Sequence, residues 1–144
     1  MGTKGIDLSY FTLRLKELLT ISFPELSGNR AFISRRSQLA ASSYEGAFRS
    51  GNSPEVCLEI AEYILFENLH FSKFDTVFNV VCREFDSLMA DEELRPFALK
   101  MLDVCEPVFA QFHLSVEFAD SPEFQILYTE LTGAIQIWIE GNGL

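Results

Sequence analysis

Ser121-Pro122-Glu123-Phe124-Gln125-Ile126-Leu127-Tyr128-Thr129-Glu130-Leu131-Thr132-Gly133-Ala134-Ile135-Gln136-Ile137-Trp138-Ile139-Glu140 decides the fold class, because its end and its full length favour different structures. Residues 135–140 alternate in the manner of a strand, and Gly133 weakens a helix. Over the whole stretch, however, Phe124, Leu127, Tyr128, Ala134, Ile135 and Trp138 fall within about 60° of Leu131 at 100° per residue. A stripe of that length is the signature of a helix. Its start is marked by a hydroxyl, a proline at the first helical position and an acid near the positive helix end. Gly141-Asn142-Gly143 supplies a stop. Ile126 and Ile137 lie off the stripe, so this helix is expected to be buried on two sides or to face another subunit.

The same spacing recurs upstream. Leu8, Phe11, Leu15, Leu18, Leu19 and Ser22 form an amphipathic stripe that ends before Pro24. Asn29 can cap a second helix whose Ile33, Ala40, Tyr44, Ala47 and Phe48 share one side, with Ser50-Gly51-Asn52 as its end. Ser53-Pro54-Glu55 opens a third, with Val56, Ile60 and Ile64 on one side and Leu58, Leu65 and Leu69 on the other. Such a helix, apolar around most of its girth, is expected to be central. Ser72-Lys73-Phe74-Asp75 opens a fourth through a loose capping box, with Val77, Phe78, Val81, Phe85 and Leu88 facing the core. Asp91-Glu92-Glu93 opens a fifth through Leu94, Phe97, Ala98, Met101 and Leu102. Pro107 is expected to break it and begin a short separate helix at Val108, Phe109 and Phe112. The expectation is all-α: a single domain over residues 1–144, a bundle of six or seven helices, with residues 1–6 disordered.

Composition narrows the class. Of 144 residues 48% are apolar and 22% charged, ordinary for a folded domain and enough for a self-sufficient core. The 14 phenylalanines are read first as core filling, since Phe buries large area without a polar atom to satisfy. Charge is sorted along the chain. Residues 1–50 hold seven of the eleven cations against four acids, a net +3, and residues 51–144 hold a net −13. Complementarity between the two is the first reading of that asymmetry. No run approaches the roughly 18 to 20 apolar residues of a membrane span. Charges at Arg14, Lys16 and Glu17 interrupt any leader-like stretch. Cys57, Cys82 and Cys105, odd in number and widely spaced, make neither a disulfide framework nor a paired zinc signature, which suits a cytoplasmic protein.

Chemistry-bearing groups are sparse. Glu67 and His70 have the Glu-x-x-His spacing that would place a carboxylate and an imidazole on one helical face. Di-iron bundles need two such pairs, and His113 has Ala110 three residues before it. His70 is therefore read as a helix-end residue complementing the dipole. The three thiols stand in apolar helical contexts, where cysteine behaves as a small hydrophobe. The glycines build no phosphate-binding loop. Arg30, Arg35, Arg36 and Arg49 make the second helix basic and are a candidate patch for an acidic partner or for phosphates.

Two segments carry a family resemblance: Leu69-His70-Phe71-Ser72-Lys73-Phe74-Asp75-Thr76 and Leu127-Tyr128-Thr129-Glu130-Leu131-Thr132-Gly133-Ala134-Ile135-Gln136-Ile137. Weaker similarity runs from Tyr10 to Leu26, at Leu39-Ala40-Ala41, and over Glu106-Pro107-Val108-Phe109-Ala110. The chain resembles a domain-of-unknown-function family of small bacterial proteins typical of Bacteroidota. That resemblance implies an all-helical cytoplasmic protein. It also implies an accessory role near conjugative or integrative elements, where members are often encoded. It implies no catalytic residue and no cofactor.

The function expected on these grounds is a non-enzymatic protein-interaction module, with a protein partner or a second copy of the chain rather than nucleic acid or membrane. An enzyme or ligand-binding alternative would centre on Glu67, His70, Asp75 and Tyr128. A nucleic-acid alternative would use Arg30, Arg35, Arg36 and Arg49. No metal site is expected.

Overall fold

The computed structural model describes residues 7–144. The expectation for residues 1–6 lies outside the described residues. Seven α-helices make up the described chain: α1 (Leu8–Ser22), α2 (Arg30–Arg49), α3 (Pro54–Leu65), α4 (Lys73–Glu84), α5 (Asp91–Val104), α6 (Glu106–Phe109) and α7 (Glu123–Asn142). Single 3-10 turns stand at Asp86–Leu88 and Phe118–Asp120, and no strand occurs among the described residues. The all-α expectation holds, including residues 135–140, which stay helical.

Local chemistry accounts for most boundaries. The Asp7 carboxylate accepts from the Tyr10 N–H at α1, and the Asn29 side chain from the Phe32 N–H at α2. Ser53 Oγ accepts from the Val56 N–H, and Ser72 Oγ from the Asp75 N–H. Each satisfies one of the donors a helix start leaves unpaired. At α5 the Glu93 carboxylate reaches back to the Ala90 N–H at 2.9 Å. Pro107 does separate two helices: α5 ends at Val104, and the proline occupies the first turn of α6. Ser121 departs from its expected role. Its hydroxyl donates to the Phe118 carbonyl at 2.7 Å, so α7 starts without a side-chain cap.

The helices gather into two compact units, the first ending at Leu69 and the second running from His70 to Leu144. In the first, α2 packs against both α1 and α3. Phe11, Leu15 and Leu19 of α1, Ile33, Ala40 and Tyr44 of α2, and Cys57, Ala61 and Leu65 of α3 form its core. The second unit packs α4 against α5 and α7 around Phe74, Val77, Val81, Phe97, Met101, Leu127, Leu131 and Ile135. Phe118 is edge-on to Phe71, Phe112 and Phe124, with ring centroids 5.4, 5.8 and 6.3 Å away, a geometry that adds to plain area burial. Phenylalanine is core material here, except Phe48, which is exposed rather than on the core side of α2.

Three further expectations are corrected. Helix α3 is not central: only Cys57, Ala61 and Leu65 are buried, and Val56 and Ile60 remain 38% and 39% exposed. Within its unit α3 packs chiefly on α2, so one face suffices. Leu88 falls in a 3-10 turn after α4 has ended at Glu84, and is exposed. Helix α7 is not buried on two sides, since Ile126 and Ile137 are 53% and 70% exposed.

Candidate functional site

The Glu67–His70 pair does not form on a helix. Helix α3 ends at Leu65, and Asn68 takes φ 65°, the one non-glycine residue with positive φ among those described. Asparagine tolerates this left-handed conformation better than most side chains. The turn breaks the i, i+3 register that the pairing needs, and both Glu67 and His70 are exposed. Asp75 sits exposed in the first turn of α4, where an acid suits the positive helix end. The Tyr128 hydroxyl donates to the Glu84 carboxylate at 2.9 Å, and burial together with that bond raises its pKa. The recess around it is lined by Asn79, Arg83, Glu84, Phe124, Gln125 and Tyr128, with neither Asp75 nor His70 among them. The four residues of the candidate polar site therefore do not converge.

Cys82 and Cys105 are poor nucleophiles. Burial pushes Cys105 up to about 11, and burial with Asp86 and Asp91 nearby raises Cys82. No group of three or more His, Cys, Asp or Glu could hold a metal ion among the described residues.

The four arginines of α2 also part company. Arg36 points to the end of α3 and donates to the carbonyls of Ile64, Leu65 and Glu67 at 3.4, 3.2 and 2.7 Å. Its guanidinium lies over the Phe32 ring at 4.7 Å, with Arg35 at 5.9 Å from the same ring. Arg49 pairs with Glu45 one turn back at 2.8 Å. Arg30 alone turns toward α1. There it lines a groove of about 360 Å³ with Leu8, Thr12, Lys16, Ile33 and Ser34. Lys16 and Thr12 escaped the sequence reading. Their only signal was the i, i+4, i+8 spacing of Leu8, Thr12 and Lys16, which says they share a face but not what that face meets.

The anticipated complementarity between the basic and acidic segments takes a specific form in the first unit. Arg14 Nη1 is 2.7 Å from Glu62 and 2.8 Å from the Tyr10 hydroxyl. Burial opposes its charge, yet those bonds outweigh it and leave the Arg14 pKa raised.

The outward side of α3 is the other notable surface. Val56, Ile60 and Tyr63 follow i, i+4, i+7 spacing, and Tyr63 is 71% exposed. Glu55 and Glu59 flank them, neither is in an ion pair, and α3 contains no basic residue.

No curated protein matches. The crystal structure of protein PG0816 from Porphyromonas gingivalis is similar at 39% identity, covering 96% of this chain and 94% of that one, with a TM-score of 0.90. The domain of unknown function DUF1896 matches residues 3–144, across both units. The chain belongs to the DUF1896 family.

Proposed function

We propose that this protein is a non-enzymatic interaction module that docks a basic amphipathic helix of a partner protein on the outward face of α3. The observation that carries the reading is the Val56–Ile60–Tyr63 stripe, left exposed beside two unpaired glutamates. Anchors at i, i+4 and i+7 are how one helix meets another, and a tyrosine at such a position supplies large contact area at small entropic cost. Glu55 and Glu59 favour lysine- or arginine-flanked partners and disfavour acidic ones, including a second α3. We treat residues 1–144 as one domain, since the family's extent runs across both units. Free cysteines, two of them buried, are the ground for a cytoplasmic setting. An accessory role beside conjugative or integrative elements rests on the family resemblance.

The test is a fluorescent helical peptide with a leucine stripe flanked by lysines, followed by anisotropy at low and high salt. Ile60→Asp should abolish binding, and Glu55→Gln with Glu59→Gln should weaken it and flatten its salt dependence. Ile137→Asp on α7 should leave it unchanged. Binding by Ile60→Asp equal to the parent protein defeats the proposal, and a dimer that Ile60→Asp dissociates would make the occupant a second copy instead.

A further inference from the structure

We infer that the groove between α1 and α2 binds a phosphate monoester carrying an apolar group, at a site separate from the α3 face. The first ground is the disposition of cations in an otherwise acidic chain. Among the described cations of the first fifty residues, Arg14 pairs with Glu62, Arg49 pairs with Glu45, and Arg36 caps α3. Arg35 is stacked over Phe32. Lys16 and Arg30 are different: neither forms an ion pair, in a chain with 21 acids, and both line the same groove. Two like charges facing one recess repel unless an anion lies between them.

Hydroxyls make the recess a receptor for oxyanions rather than a bare patch of charge. Ser34 Oγ accepts from the Gln38 amide at 3.1 Å, which leaves its own proton free to donate into the groove. Thr12 also lines the groove, and its hydroxyl is in no hydrogen bond within the described chain. Two cations and two hydroxyl donors suit a dianion with three terminal oxygens better than a single carboxylate. Arg30 opens α2, so the dipole of a 20-residue helix adds to the same potential. The recess of about 360 Å³ is larger than phosphate alone requires, and Leu8 and Ile33 supply an apolar wall for whatever the phosphate is esterified to.

The experiment uses the full chain and two probes, inorganic phosphate and phenyl phosphate, followed by amide chemical shifts and calorimetry. Phenyl phosphate is expected to shift the amides around Thr12, Lys16, Arg30 and Ser34 and to bind about tenfold tighter than inorganic phosphate. Its affinity should rise as the second phosphate proton leaves near pH 6. Lys16→Ala with Arg30→Ala should weaken binding by at least about tenfold. Arg35→Ala, outside the groove, should not change it. Lys16 and Arg30 are exposed, so the double variant is expected to fold, which circular dichroism checks. Phenyl phosphate affinity unchanged in the double variant overturns the inference. So does a titration in which only a single-stranded oligonucleotide binds, because the groove would then serve a polymer backbone and not a monoester.

Discussion

Arg36 Nη1 lies 2.7 Å from the carbonyl oxygen of Glu67, on the far side of the turn that ends α3. The same nitrogen also reaches the carbonyls of Leu65 and Ile64. A helix leaves its last carbonyls without partners, and α3 has no basic residue in its last turn to serve them. A neighbouring helix supplies that cap, so one arginine of the candidate basic patch instead holds α2 to α3.

Arg36→Ala should therefore destabilise the protein by about 1 to 2 kcal/mol, the range for a charge-assisted bond to carbonyls that are partly shielded from water. Arg36→Lys should restore only part, because the lysine ammonium ends short of the position Nη1 occupies and loses the flat guanidinium face that lies over Phe32. Urea denaturation followed by circular dichroism measures both.

Ser37 makes the opposite case. It is fully buried on α2, and its hydroxyl has no hydrogen-bond partner. Ser37→Ala removes an unsatisfied polar atom and raises helix propensity, so stability should increase by about 1 kcal/mol. A shift of the denaturation midpoint to lower urea would contradict this.

Gly133 stands in the middle of α7, and a Cβ there would meet nothing within 4 Å. Gly133→Ala should stabilise the helix by about 1 kcal/mol, through propensity and a less disordered unfolded chain. Thermal unfolding of the two proteins side by side gives the comparison.

Cys105 predicts an alkaline weakness. Its pKa is about 11 in the fold against an ordinary 9.0, because burial disfavours the thiolate. A group whose folded pKa is raised contributes its full stability below the unfolded value and loses it as pH climbs through the folded one. The loss should run from about pH 9 to 11 and amount to roughly 3 kcal/mol. Cys105→Ala should be less stable at pH 7, since it leaves a small void, but its stability should fall less steeply over that window. Iodoacetamide should also modify native Cys105 far more slowly than the unfolded chain at pH 8.

Helices were legible in the residues because their signals are local. The stripe through Leu127, Leu131 and Ile135 and the caps at Asn29, Ser53 and Ser72 act within a few residues of chain, and each appears where its spacing requires. Misjudgements arose where an outcome depends on a distant neighbour. Val56 and Ile60 read as core because their pattern is apolar, yet they stay 38% and 39% exposed. Glu67 and His70 read as a face because the helix was carried one turn too far, past the left-handed Asn68.

The sequence alone determined that this is an all-helical chain, where most of its helices start, and that its thiols sit in apolar surroundings, since periodicity and capping are short-range properties of the backbone. Tertiary structure decided which cations are spent and which are spare: Arg36 on carbonyls of α3, Arg14 on Glu62, and Lys16 beside Arg30 across a groove between two helices. The two pairings join residues 31 and 48 positions apart, and a charge's partner is set by where packing places it rather than by its own neighbours in the chain.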